Sequence, residues 1–282
     1  MEYPSDEIKE LYQQALVYDD QGDVYNAVKL YKRIIRLDTD WAPPYFQLGY
    51  IYKKRQEWKA CLHYHKKFLA RSPSEKKAWW NLGIAASALN KWRIARNVWS
   101  KFGLSPTESA PCCIQLKTAT RFELFWVKSL DPARGRITNI PFPASDRRYG
   151  DIILFDKEVV GYNVVGNKKV PIYPELGLYK RSVYRTWSCF LVGATLKDVE
   201  TLENLCQNAA LGFEVWSNAS RAFSPRLENQ LPEYYSPSEL NAAPEEGIIV
   251  ALAGKREKAI VDTLKSWEVI SLKQFTSLHH FR

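Results

Sequence analysis

Four histidines and five cysteines are the side chains of this chain best suited to hold a metal or act as a nucleophile, and their spacing decides whether they can. His63 and His65 lie two apart in a stretch of helical periodicity, so their rings point about 200° apart and cannot share an ion. His279 and His280 fall near the end of the sequence, where fraying is expected and no carboxylate or thiolate is spaced to join them. Cys61, Cys112, Cys113, Cys189 and Cys206 are irregular in spacing, which argues against a secreted disulfide framework. The vicinal Cys112 and Cys113 read as two small buried residues at a domain junction in preference to a redox pair. No Gly-x-Ser-x-Gly elbow, phosphate loop or dinucleotide fingerprint occurs; Ala253-Gly254-Lys255 lacks the preceding glycine that a phosphate loop needs. Asp151, Asp156 and Tyr162 are the polar candidates for a site in the C-terminal half, and they read as ordinary strand-end residues. The expectation is a protein that is not an enzyme and holds no metal or cofactor.

Basic and aromatic residues do cluster. Arg134, Arg136, Arg147, Arg148, Lys168, Lys169, Lys180, Arg181 and Arg185 alternate with Phe142, Tyr149, Tyr173, Tyr179 and Tyr184. These types grip phosphates and stack bases, so a nucleic-acid-binding protein is the rival reading to a protein-binding one. Net charge is +6 for residues 1–110, +6 for 111–185 and −3 for 186–282, a surplus that favours acidic partners without specifying which.

The positioning elements follow from a period of 34 residues beginning at Ile8, Ala42 and Lys76. Position four carries Leu11, Tyr45 and Trp79; position eight Ala15, Gly49 and Gly83; position eleven Tyr18, Tyr52 and Ala86. Turn residues Gly22, Gln56 and Asn90 fall at fifteen. Small Ala27, Cys61 and Ala95 follow at twenty, Tyr31, His65 and Trp99 at twenty-four, and Ile34, Phe68 and Phe102 at twenty-seven. Apolar residues at helical spacing on both sides of a mid-unit turn make each unit a pair of antiparallel helices. The small positions let the two helices approach closely. One hairpin cannot bury its own apolar face, so the units must stack.

This pattern resembles the tetratricopeptide repeat over residues 8–108. The resemblance implies a solenoid whose first helices line a concave groove for a peptide or protein segment. On that pattern Tyr12, Phe46 and Trp80 (position five) and Leu16, Tyr50 and Ile84 (position nine) are the groove anchors, with Gln47, Lys77 and Asn81 as further contacts. Lys53 and Lys54 belong to its charged rim. Relatives that clamp the carboxylate tail of heat-shock chaperones use a set of lysines, asparagines and an arginine. Here those positions read Tyr12, Leu16, Gln47, Lys77 and Asn81, and only Lys77 fits.

Beyond Ser105, Pro106, Ser109 and Pro111 the texture changes to short β-branched and aromatic runs. The expected organisation is multidomain: an all-α solenoid over 1–110, a small antiparallel β-unit over 115–185, and an α+β domain over 186–282. In the β-unit the best hairpin joins Val159–Val165 to Lys169–Tyr173 across Gly166-Asn167. The last domain reads as strand 186–192, helix 196–210 capped by Thr195 and Asp198, and strand 213–216. A long loop over 218–246, strand 247–253, helix 256–266 and strand 267–272 complete it, an order that predicts a ferredoxin-like sheet. The aliphatic Ile248–Ala253 replaces the aromatics that an RNA-recognition motif carries on its third strand. No apolar run approaches bilayer length and the first ten residues are acidic and polar, so a cytoplasmic adaptor without a membrane partner is expected.

Overall fold

The structure, a computed structural model, describes residues 4–104, 111–117, 122–165, 167–217, 222–223, 233–235 and 247–281. The breakers Ser105, Pro106 and Ser109 and most of the expected 218–246 loop lie outside these. The chain divides into two compact units, Met1–Pro106 and Thr107–Arg282. No helix of the described residues is long and apolar enough to cross a membrane.

The first unit is a helical repeat. Its six helices are α1 (Asp6–Asp20), α2 (Val24–Leu37), α3 (Pro43–Lys54), α4 (Trp58–Arg71), α5 (Lys76–Ala88) and α6 (Trp92–Lys101). Ser5 and Asp23 cap α1 and α2 by accepting the N–H of Ile8 and Asn26, and Pro43 opens α3 where its missing N–H costs nothing. The period is visible in the backbone itself. Gly22, Gln56 and Asn90 all adopt left-handed φ, at 79°, 58° and 58°. In each repeat the next residue's N–H then donates to the carbonyl of position eleven: Asp23 to Tyr18, Glu57 to Tyr52 and Lys91 to Ala86, at 2.8, 2.9 and 2.8 Å. This closure satisfies a helix-end carbonyl and turns the chain back on itself. The small residue at position eight admits the large ring of position twenty-four. A Cβ added at Gly49 would lie 2.7 Å from the His65 ring, and one at Gly83 2.5 Å from the Trp99 ring.

The second unit begins with β1 (Pro111–Lys117), β2 (Phe122–Asp131), β3 (Arg134–Ile137), β4 (Ile152–Phe155), β5 (Gly161–Val165) and β6 (Lys168–Lys180). Antiparallel pairings run β1–β2, β2–β3, β3–β4 and β4–β6, and β6 returns to β1 in parallel, Cys113 opposite Ile172. The result is a closed five-stranded barrel around Ile114, Phe125, Val127, Ile137, Ile153 and Phe155. Closure removes the sheet edges that a small open β-unit would leave unpaired. β5 pairs with β6 as a hairpin.

The chain continues as β7 (Arg185–Val192), α7 (Leu196–Asn208), β8 (Gly212–Val215), β9 (Ala222–Phe223), β10 (Glu233–Tyr235), β11 (Ile248–Gly254), α8 (Glu257–Ser271) and β12 (Gln274–Phe281). β9 pairs with β2, and β10 lies parallel to β5. A second, antiparallel sheet has the order β12-β7-β11-β8. Its core joins Trp187, Leu191, Ile248 and Val250 to Val199 and Leu202 of α7 and Ile260, Leu264 and Trp267 of α8. Thr195 and Asp198 form a reciprocal capping box at the start of α7.

The expected fold class, a small antiparallel β-unit followed by an α+β ferredoxin-like domain, is therefore corrected. The C-terminal part is a closed five-strand barrel and a second sheet within one compact unit. Two of its pairings are parallel and join segments far apart in sequence, which runs of β-branched residues cannot reveal. The final strand is also displaced: residues 267–271 belong to α8, because Trp267 continues the buried spacing of Ile260, Thr263 and Leu264. Leu272, with φ at 57°, ends that helix.

Candidate functional site

The predicted anchors lie on α1, α3 and α5, the first helix of each repeat. The position-five rings are half-buried and braced from behind by their own repeat's second helix. Tyr12 packs on Tyr31 with centroids 5.7 Å apart and on Trp41 at 4.9 Å. Phe46 meets His65 and Phe68 at 5.7 and 5.3 Å, and Trp80 meets Trp99 and Phe102 at 5.0 and 5.2 Å. Edge-on contacts of this kind hold a ring in one orientation. Trp41 is a member of the row that the repeat pattern does not mark.

Polar contacts tie neighbouring repeats together on the same helices. Gln47 Nε2 donates to the Tyr12 hydroxyl at 3.2 Å. Lys53 Nζ donates to Asn81 Oδ1 at 2.7 Å, with both residues buried. Lys54 and Lys53 place their ammonium groups 4.6 and 5.8 Å from the centroid of the Tyr50 ring. Burial raises the Tyr12 hydroxyl above its ordinary value, opposed by the Gln47 hydrogen bond. Leu16 is half-buried, Lys77 is exposed, and Ile84 is fully buried. The structure thus brings together Tyr12 with Gln47, and Tyr50 with Lys53 and Asn81. Lys53, expected at the rim, is instead buried; its position three residues after Tyr50, one helical turn on, is the signal that could have placed it.

His65 is fully buried, and desolvation, with Lys53 adding repulsion, pushes its imidazole down to about 3. His63 is exposed. The expected fraying at His279 and His280 is corrected: both lie in β12, and His280 stacks on Trp187 at 4.8 Å. Among the described residues no group of three or more His, Cys, Asp or Glu could hold a metal ion. Cys113 is buried, with its thiol pushed up to about 12 by desolvation.

Three of the nine basic residues of the basic aromatic cluster are committed to internal ion pairs. Arg134 binds Asp131 at 2.6 Å, Arg147 binds Glu175 at 2.8 Å, and Arg181 reaches Asp146 and Asp151 at 3.1 and 3.4 Å. Asp151 is fully buried and accepts the backbone N–H of Ser182 at 2.6 Å and of Arg148 at 2.9 Å. Asp156 is buried at the end of β4, and Tyr162 is half-buried in β5, opposite Glu233.

No family model matches the chain, and no curated protein matches it. Among solved structures it is similar to MamA, at a TM-score of 0.33 and 21% identity over 38% of this chain and 60% of MamA. A second MamA structure gives 0.32 and 20% over 33% of this chain and 55% of the other. A hypothetical protein from Neisseria gonorrhoeae gives 0.27 and 11% over 60% and 92%. The chain spans a little over half the length of the MamA chains. These likenesses are loose in both score and identity.

Proposed function

We propose that the chain is a protein-interaction adaptor whose helical repeat, of the tetratricopeptide type, holds a peptide or protein segment along α1, α3 and α5. The task is binding and not catalysis. The carrying observation is that one ring per repeat, Tyr12, Phe46 and Trp80, recurs at the same position of the first helix, half-exposed and braced by rings behind it. A side chain already held in one orientation loses little entropy when a partner docks, which is why rigid aromatics make good anchors. The +6 charge of residues 1–110 and the lysines beside Tyr50 favour an acidic segment.

The bracing also decides which variants are informative. Phe46→Ala or Trp80→Ala would remove packing as well as any contact with a partner, so Tyr50→Ala and Lys54→Glu are the cleaner probes. Selection of the full-length protein against a displayed library of random peptides should enrich acidic sequences. A synthetic peptide from that pool should bind Tyr50→Ala and Lys54→Glu about tenfold or more weakly than wild type, with unchanged circular dichroism. Failure to enrich any peptide, or affinities untouched by both changes, would refute the assignment.

A further inference from the structure

A cavity of about 300 Å³ in the second unit is lined by Arg148, Arg185, His280 and Phe281. Its walls come from three places in the chain: the loop before β4, the start of β7 and the end of β12. Asp151 joins the first two. Its buried carboxylate accepts the Arg148 N–H and the Ser182 N–H, which fixes both the loop bearing Arg148 and the turn that leads to Arg185. The third wall is set by sheet register, His280 opposite Trp187 and Phe281 opposite Thr186.

The charge accounting is uneven. Arg147 and Arg181 are consumed by Glu175, Asp146 and Asp151. Among the described residues no carboxylate pairs with the guanidinium of Arg148 or of Arg185. Two guanidinium groups line one cavity without a paired carboxylate, Arg148 half-buried and Arg185 exposed, so their repulsion is only partly screened by water. The His280 ring lines the cavity, but its Nε2 is enclosed by protein and has no hydrogen-bond partner. Its ring is held 4.8 Å from Trp187 at an interplanar angle of 24°, so it cannot swing out easily. An anion would answer both guanidinium groups at once. Two guanidinium groups suit the oxygens of a phosphate dianion.

We propose that this cavity binds the phosphate of a small phosphomonoester between Arg148 and Arg185, with the Phe281 ring against the organic part. The volume lies at the lower end for a small-molecule site. The neighbouring cations Arg147 and Arg181 are spent internally, which leaves a confined pair of charges and not a track for a polymer backbone.

The test is titration of the full-length protein with phenyl phosphate, inorganic phosphate and a single-stranded oligonucleotide without terminal phosphates. It is followed by calorimetry and by the fluorescence of Trp187 and its fellows. Saturable one-site binding of phenyl phosphate, tighter than inorganic phosphate, is expected. Arg148→Ala and Arg185→Ala should each weaken it by about tenfold or more, while Lys258→Ala, an exposed position on α8, leaves it unchanged. Circular dichroism checks that each variant is folded. Absence of saturation up to about 10 mM, the weakest range worth calling a site, would overturn the proposal. So would affinity unchanged from wild type in both arginine variants, or phenyl phosphate bound no tighter than inorganic phosphate. An oligonucleotide bound more tightly than phenyl phosphate and weakened by the same arginine changes would replace it with a nucleic-acid surface.

Discussion

Gly83→Ala sets two effects of opposite sign against each other. In the middle of a helix alanine is favoured over glycine by about 1 kcal/mol. The new Cβ, however, would lie 2.5, 2.8 and 2.9 Å from three carbons of the Trp99 ring, against an ordinary carbon contact of about 3.5 to 4.0 Å. The ring must retreat by about 1 Å, but Trp99 is 2% exposed and Trp80 packs against it at 5.0 Å. Overpacking of that kind costs about 1 to 3 kcal/mol before any helix gain is credited. Because the obstacle is a braced indole and not a flexible chain end, the upper half of that range applies, and the net expectation is a loss of about 1 to 2 kcal/mol. Urea unfolding followed by far-ultraviolet circular dichroism reads it. Trp99→Leu removes the obstructing atoms, so the double variant should be more stable than the sum of the single losses implies, by about 1 kcal/mol or more. A Gly83→Ala protein as stable as wild type, or strict additivity in the cycle, would refute the close approach of the two helices.

Gln56 holds a left-handed conformation that suits Gly22 of the first repeat better; Gln56→Gly should gain about 0.5 kcal/mol, strain relief exceeding glycine's entropy loss, by the same urea assay. His65 has a folded value lowered to about 3 from 6.5, so the folded state binds fewer protons than the unfolded one between these limits. Stability of the helical unit is complete above pH 6.5 and falls by about 1.4 kcal/mol per unit as pH drops towards 3; His65→Leu should flatten that slope. Glu175 carries the opposite sign: desolvation raises it above 4.5 despite Arg147, so the folded state binds more protons. Stability then declines as pH rises from 4.5 through the raised value and levels off beyond it. Denaturation of Glu175→Gln across that window should show the decline removed, and an unchanged slope would mean the carboxyl is not desolvated.

The helical repeat was legible in the sequence because its contacts are local and repeat. Gly49 and Gly83 can be read as close-approach positions from spacing alone, since His65 and Trp99 lie on the next helix and return every 34 residues. Turn residues 22, 56 and 90 declare themselves for the same reason, as does the Thr195 and Asp198 cap, whose bonds span three residues. The bracing of Tyr12, Phe46 and Trp80 was less legible: the pattern places them on the first helix but says nothing of how far each ring turns towards the second. Barrel closure and the Arg148, Arg185 and His280 cavity lay beyond sequence reading altogether. Both depend on pairings such as Cys113 with Ile172 and His280 with Trp187, which join residues dozens of positions apart. The free energy of such a pairing comes from burying two faces together, and neither segment carries a mark of its partner. Local spacing determined where the helices begin, turn and touch; only the folded chain decided which strands meet, and therefore which charges are paired internally and which are not.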